Sequence, residues 1–438
     1  MTTNPVLYAE LHEIWSEASS ADRMTCFKSL PLADAQEFFR ELSTRHQYEV
    51  VASLPEGEQT VWLRLLDPDD AADLLQEAED EEERERLIVL LDDSTRDDVK
   101  ALLKYREDVA GGLMSPRFAR VRPNMTVSEA LTYVRKQALG VTETVYTIYV
   151  LDMEQHLLGV ISLRTLFSSE PQQRIKDIMR TNVVTISEEA DQEALSRLFA
   201  EHDLIAIPVI DADNRMKGIV TIDDIVDVVE EEATEDIQKI GGSEALDAPY
   251  LETSLLQMIR KRAGWLTVLF IGEMLTANAM LFFENEITKA VVLAVFLPLI
   301  ISSGGNAGSQ ASTLVIRAMA LGEVRLSDWW RVMRREVLTG LSLGAILGVI
   351  GVLRVVAWEQ LFHSYGPHAG LIGVAVGFTL VGIVLWGTLA GSLLPLALRR
   401  VGFDPASAST PFVATLVDVT GVVIYFSIAS LILRGTLL

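Results

Sequence analysis

The 438-residue chain carries 37 basic and 61 acidic residues, a formal net charge of −24, yet its mean hydropathy is +0.27, a pairing that a single soluble globule rarely shows. Residues 261 to 438 are net +3 and residues 1 to 260 net −27, so the acid lies in the front and the apolar content in the rear. This composition excludes a soluble enzyme, and the one cysteine, Cys26, excludes an internally disulfide-stapled scaffold. An acidic front also excludes nucleic acid as a partner, because phosphates are held by Lys and Arg.

Taken from the start, MTTNPVLYAELHEIW lacks the basic opening and apolar core of a signal peptide. Residues 5 to 108 have helical spacing without strand signals, and EDEEERER at 79 to 86 reads as a solvated helix face. An acidic helical domain is predicted over 1–110. A repeat follows. LMSPRFARVRPNMTVSEAL at 113 to 131 returns as IMRTNVVTISEEADQEAL at 178 to 195, and VYTIYVLDMEQHLLGVISLRTL returns as LIAIPVIDADNRMKGIVTIDDI. Each copy reads strand, helix, strand, turn, strand, helix, and in the second an Asp-rich turn ending at Gly218 separates the apolar runs Ile205 to Ile210 and Ile219 to Ile222. Two α/β units are predicted, over 111–170 and 171–232. VDVVEEEATEDIQKIGG and SLLQMIRKRAGWL then predict a linking helix over 233–262 that runs directly into the membrane.

Residues 263–438 contain five stretches long enough to cross a hydrocarbon core of about 30 Å: Ala263 to Phe283, Ala290 to Ile316, Val337 to Trp358, Ala369 to Leu398 and Pro411 to Leu433. Lys261 and Arg262 precede the first, five arginines fill the second connection, and Arg399 and Arg400 the fourth, whereas FENEIT and EQLFHSYGPH carry neither Lys nor Arg. By the positive-inside rule the N-terminus is cytoplasmic and, with an odd number of spans, the C-terminus outside. A multi-pass protein of the cell (inner) membrane, in contact with lipid, is the expectation.

The order of parts becomes specific at this point. The repeat resembles a tandem pair of cystathionine-β-synthase (CBS) domains. The segments YREDVAGGLMSP, EEATEDIQKIGG, PLIISSGGNAGSQASTLVIRAMALGE and GFDPASASTPFVATLVDVTG, in this order, resemble the MgtE family of magnesium transporters. The resemblance implies a multidomain membrane protein: a cytoplasmic α-helical domain, an α/β CBS pair, a linking (plug) helix and a five-span α-helical pore domain. It implies a homodimeric Mg²⁺-selective channel, with the pore between protomers and closure by cytoplasmic Mg²⁺. Mg²⁺ is then both substrate and regulator.

The residues also speak independently of that name. Asp418 is flanked by Phe412, Val413, Leu416, Val417, Val419, Val422 and Ile424, and so lies well inside the fifth span. A carboxylate there costs about 2.5–3.5 kcal/mol on insertion scales and is functional by default; the bland alternative pairs it with the hydroxyl of Thr415 or Thr420. Two copies about a two-fold axis would face one cation with two carboxylates. Mg²⁺ sheds water reluctantly, so a pair of acids and some carbonyls acting through the hydration shell is sufficient. The resemblance assigns the backbone carbonyl of Ala414 to act with Asp418, and Pro411 is expected to free carbonyls at that level. In the second span, SSGGNAGSQ favours close packing for Gly304, Gly305 and Gly308, and pore lining for Asn306. Thr410 stands where the family often has Gly or Asn. Glu273 and Arg354, also within spans, are left outside the ion path.

The acids of DDIVDVVEEEATED recur at helical spacings of three and four, where like charges repel until a cation neutralises them. A solvated acidic face is the ordinary alternative. The resemblance places regulatory Mg²⁺ acids at Asp224, Asp227, Glu232, Glu235 and Asp236, at Asp191, Glu193 and Asp203 in the second CBS copy, and at Asp69 and Asp73 in the helical domain. CBS pairs also take adenine nucleotides such as ATP through a Ser/Thr-x-x-Asp; the second copy has Thr221 and Asp224, the first Ser162 and Thr165 without the acid. Two other readings compete with the channel: a divalent transporter coupled to H⁺ or Na⁺, and a membrane-anchored sensor without transport. No P-loop, nucleophile elbow or HExxH supports an enzyme.

Overall fold

A computed structural model describes residues 18–78, 80–138, 144–246, 248–251 and 253–437, with Leu11, Trp15 and Thr142. It divides into two compact units, Met1–Glu230 and Glu231–Leu438.

The first unit begins with short helices, each opened by a residue suited to a helix start. They are α1 (Ser20–Ser29), α2 (Leu32–Glu41), α3 (Thr44–Ala52), α4 (Glu56–Leu63), α5 (Pro68–Gln76), α6 (Glu81–Leu90) and α7 (Asp93–Leu102). Ser19, Asp80 and Asp92 cap α1, α6 and α7 by accepting backbone N–H groups one turn on, and Pro31 and Pro55 pre-set the chain before α2 and α4. The helices bury Phe38, Phe39, Leu63, Leu74, Leu75 and Leu87, each worth about 1.5–3 kcal/mol of transfer free energy. EEERER of α6 stays largely in solvent, as predicted for that face.

The repeat folds as two three-stranded sheets. In the first copy β1 (Phe118–Val121) is followed by α8 (Val127–Ala138), β2 (Thr144–Leu151), β3 (Leu157–Ser162) and α9 (Leu163–Ser168). After the short helix α10 (Ile175–Ile178), the second copy has β4 (Ile186–Ser187), α11 (Gln192–His202), β5 (Ala206–Ile210), β6 (Met216–Thr221) and α12 (Ile222–Ile240). In each sheet the first strand pairs parallel with the second and the second antiparallel with the third; Ile148 meets Ile161 as Ile207 meets Val220. Tyr149, Leu151 and Leu157 of one copy pack with Ala206, Met216 and Ile219 of the other. The helical core continues through Ala110 and Met114 into Ile207, Val209 and Val220 of the second sheet.

The second unit holds the membrane-spanning helices. The linking segment departs from expectation: α12 ends at Ile240, and a new helix, α13 (Leu255–Phe282), begins with its own Ser254–Gln257 capping box. The break has a local cause, because Gly242 adopts φ +78°, a conformation natural to glycine after a helix end. The predicted helix over 233–262 is therefore two helices, and 255–262 belong to the first span.

After α14 (Glu284–Lys289), the second span is α15 (Val291–Ala294) plus α16 (Leu297–Ala320), interrupted before Pro298, which sits in the first turn of α16. The span expected from Ala290 to Ile316 is present, with its helix broken at this point: proline suits a first turn and lacks the N–H that would continue a preceding one. The remaining spans are α17 (Trp329–Phe362), α18 (Ala369–Arg400) and α19 (Thr410–Leu433). The described residues thus contain five helices long and apolar enough to cross a membrane. α19 packs against α13, α16 and α18, and α18 against α16 and α17. Glycines permit the closest of these approaches: a Cβ on Gly387 or Gly391 would collide with the backbone oxygens of Gly304 or Gly308.

Candidate functional site

Asp418 lies two turns into α19, half-buried, with no hydrogen-bond donor or cation meeting it among the described residues. The bland pairing with Thr420 is corrected: that hydroxyl donates to the Leu416 carbonyl at 2.7 Å and accepts from Trp386 Nε1 at 2.7 Å. Nor does Thr415 supply a bond; its methyl faces Gly272 of α13. Space beside the carboxylate is provided by Gly305, whose missing Cβ would stand 3.6 Å from Asp418 Oδ1 and 3.6 Å from Ala414 Cβ.

Pro411 does not free the Ala414 carbonyl. It occupies the first turn of α19, where its absent N–H would have had no helical partner, and the helix runs unbroken past Ala414, one turn before Asp418. The start of α19 is held instead by side chains: Ser409 caps Phe412 N–H and accepts from Trp265 Nε1 at 3.0 Å, while Ser309 and Ser312 donate to the carbonyls of Thr410 and Ala408.

On α16 the two roles expected of SSGGNAGSQ separate cleanly by face. Gly304, Gly305 and Gly308 are buried against α18 and α19, whereas Ser302, Asn306 and Gln310, at four-residue steps, form an exposed polar stripe. Asn306 donates only a long bond, 3.4 Å, to Ser302 Oγ. Glu273 of α13 is exposed at mid-span and acts electrostatically on Asp418, a neighbour that sequence spacing did not connect to the site. Arg354 is accounted for elsewhere: it lies over the Trp358 ring, 3.6 Å from the centroid, and donates to Tyr365 Oη at 3.0 Å.

The cytoplasmic acids fall into three settings. Asp191 caps α11 by accepting Glu193 N–H at 2.9 Å, Glu193 pairs with Arg197 at 3.3 Å, and Asp203 ends α11 with φ +49°, so each has a local structural role. Asp69 and Asp73 lie on α5, Asp69 buried. Asp70 beside them was missed from sequence. It keeps contact with solvent, yet crowding by protein together with Asp67, Asp223 and Asp227 pushes its pKa up to about 6. Burial, Glu230 and Asp223 likewise raise Asp227. Asp224 accepts from the Thr221 hydroxyl at 2.9 Å, a local turn closure available to any Thr-x-x-Asp. In the first copy Ser162 and Thr165 share a 2.8 Å hydroxyl contact in the same place.

At the end of α12, Glu232, Glu235 and Asp236 belong to the same compact unit as the membrane helices. Lys239 bridges Glu235 and Asp404, the latter at 2.7 Å. Burial opposes its charge, but the hydrogen bonds that it donates to Asp404 and Glu235 outweigh that and hold its pKa above the ordinary lysine value. Ile240 packs with Ile316, Ala406 and Ala408. The Asp152, Glu154 and His156 carboxylate and imidazole atoms also converge, but Asp152 there closes the β2–β3 turn, accepting from the backbone of Glu154 and His156 and from the His156 ring.

Comparison with known proteins matches this arrangement part by part. Residues 297–428 match the divalent cation transporter family model, 7–108 the MgtE intracellular N domain, and 108–170 and 175–231 the CBS domain. The magnesium transporter MgtE of Thermus thermophilus is 41% identical over 428 residues, covering 97% of this chain and 93% of that protein, and the one of Bacillus subtilis is 31% identical over 417 residues, covering 95% and 90%. The solved cytosolic domain of the Mg²⁺ channel MgtE in complex with ATP is 41% identical, covers 51% of this chain and 92% of that one, and superposes with a TM-score of 0.48. With a near full-length relative at this identity, five spans and the domain order in place, the chain belongs to the MgtE family of magnesium transporters and is a multi-pass membrane protein, not an enzyme.

Proposed function

We propose that Mg²⁺ crosses the membrane through a path lined by Asp418, Asn306 and the Ala414 carbonyl, at the interface of two copies of this chain. The observation that carries the reading is a polar face where lipid would demand apolar side chains: Asp418, without a partner among the described residues, and the exposed stripe of Ser302, Asn306 and Gln310. Such groups in a span face a water-filled cavity or protein. A second copy supplies both, and a pair of Asp418 carboxylates suits a cation that keeps its water shell. The apolar surface of α13 is almost wholly exposed, which supports its burial by lipid and by a partner.

Closure by cytoplasmic Mg²⁺ follows from the acids. Asp69, Asp73, Asp224, Asp227, Glu232, Glu235 and Asp236, with Asp191, Glu193 and Asp203 as peripheral members, repel one another when Mg²⁺ is scarce, and bridging ions favour the compact state. The bias is bounded by the difference in Mg²⁺ affinity between the two states, so many weak sites acting together serve better than one. The arginine-rich connections support a cytoplasmic position for the N-terminus and this sensor. Adenine nucleotide binding at Thr221 and Asp224 is a subsidiary reading, supported by the pairing of that hydroxyl and carboxylate after β6.

The test is Mg²⁺ flux into proteoliposomes. Asp418→Ala is expected to abolish flux while the protein remains a dimer by size-exclusion chromatography; wild-type flux in the variant would remove Asp418 from the path. Flux that persists without an imposed proton or sodium gradient separates a channel from a coupled transporter.

A further inference from the structure

α13 runs alongside α19 in the same direction, and the contacts mark its register. Trp265 Nε1 meets Ser409 Oγ at 3.0 Å, a Cβ on Gly272 would stand 3.0 Å from Thr415 Cγ2, and the Phe283 and Phe426 rings stack at 5.2 Å. The less exposed positions Trp265, Leu269, Gly272, Thr276, Ala279 and Phe283 form the seam, at spacings of three and four. Glu273 flanks that seam, following Gly272 at the level of the Asp418 turn, and is the group whose charge acts on Asp418.

Its depth removes the ordinary explanation for a charged side chain in a span. Glu273 is eight residues from Trp265 and ten from Phe283, about 12 Å and about 15 Å along the helix, too far for a glutamate to reach either interface. Exposed Phe270, Ile271, Met274 and Leu275 surround it, and a carboxylate at such depth costs about 2.5–3.5 kcal/mol on insertion scales. A second observation lies on the same seam: the Thr276 hydroxyl, one turn on, is buried without a partner among the described residues. Polar groups of two helices thus converge on one level of the bundle.

We infer that Glu273 is a second carboxylate of the ion site, setting its affinity for divalent cations and its preference among them. The inference rests on the Asp418 reading. Glu273 lies outside the segment that matches the transporter family model, residues 297–428. With two acids from each chain, a two-fold assembly presents four carboxylates around the ion's hydration shell. Higher charge density strengthens binding, and it favours cations that exchange shell waters for carboxylate oxygens, Ca²⁺ and Mn²⁺ among them, more than Mg²⁺.

Flux by the full-length protein in proteoliposomes, titrated with Mg²⁺ and with Ca²⁺ as competitor, tests it in the parent, Glu273→Gln, Glu273→Asp and Asp418→Asn. Glu273→Gln should raise the half-saturating Mg²⁺ concentration at least about threefold and weaken inhibition by Ca²⁺, with maximal flux nearly retained. Glu273→Asp, which keeps the charge but withdraws it, should fall between parent and Glu273→Gln. Unchanged half-saturation and ion order in Glu273→Gln, or a change in maximal flux alone, overturns the inference while an inactive Asp418→Asn leaves the pore standing. If Glu273→Gln is not recovered folded, an unshifted Glu273→Asp is equally fatal. Parent-like flux in Asp418→Asn would bring down the pore reading and this one with it.

Discussion

Carboxylates in the two units of this protein meet opposite physical problems. Those of the first unit are many; Asp70 and Asp227 sit at a protein surface, where partial loss of solvent and then neighbouring acids, Asp223 among them, raise their pKa values. Those of the spans are few, and Asp418 and Glu273 sit where no water is guaranteed and no protein cation is offered among the described residues. A crowded, hydrated acid makes a graded and cooperative sensor, because its repulsion changes continuously with cation concentration. An isolated acid at mid-membrane makes a binding site, because its charge has no use except to attract what passes.

The contrast is most easily broken at Asp418. Replacing it with asparagine keeps shape and removes charge, and flux should fall at least about tenfold, the factor that about 1.4 kcal/mol commands; a proteoliposome assay reads it directly. Next in size is packing. A methyl group at Gly391 would meet the backbone oxygen of Gly308, so Gly391→Ala should destabilise the membrane unit by about 1–3 kcal/mol, the usual overpacking cost, seen as a lower thermal midpoint in detergent. Here flux per folded protein should survive, which separates holding the bundle from holding the ion.

Legibility in the sequence followed the same division. The repeat was plain, since hairpin grammar needs only neighbours in the chain, and both copies fold with matching register. The spans were plain because twenty apolar residues have one physical use. The helix ends were not: α12 ends at Ile240, just before Gly242, and α16 starts at Leu297, just before Pro298, and in a continuous apolar or amphipathic pattern each of those two residues is a single letter against many. Asp418 was legible as a lone charge among apolar residues. Its relation to Glu273, 145 positions away in the chain, was not, because it depends on the register of α13 against α19. Asp70 and Asp223 were missed although they adjoin Asp69 and Asp224; in a run of acids, which ones face each other is a property of the packed helices. Asp191 and Asp203 show the converse, since a helix cap and a left-handed C-terminal residue look like any other acid until the helix is seen.

The proposed closure by cytoplasmic Mg²⁺ should yield to a smaller change. Lys239 holds Glu235 and Asp404 together at the end of α12. Lys239→Met keeps the aliphatic stem and removes the bridge, and because partly exposed ion pairs contribute roughly 1 kcal/mol or less, the Mg²⁺ concentration that half-closes the protein should rise by no more than about fivefold. Open probability against cytoplasmic Mg²⁺ measures it. An unshifted curve would mean that the end of α12 does not report on the gate.

The smallest effect is expected at Asp70, where the sign is informative. Its pKa is raised from 3.8 to about 6 by partial loss of solvent and then by Asp67, Asp223 and Asp227, so between those values the folded protein binds the proton that the unfolded chain releases, and stability falls as pH rises through the window. At pH 7 the charge is present and unwelcome. Asp70→Asn should therefore raise the thermal midpoint of the Mg²⁺-free protein at pH 7 by only about 1–3 °C, since a solvent-accessible carboxylate is screened. The advantage should shrink at pH 5, where the parent carboxylate is largely protonated when folded, and the midpoint gain on adding Mg²⁺ at pH 7 should be smaller in the variant than in the parent. A lower midpoint in Asp70→Asn at pH 7, or a Mg²⁺ increment equal to the parent's, would mean that Asp70 is not repelled by its neighbours and is no part of what the cation relieves.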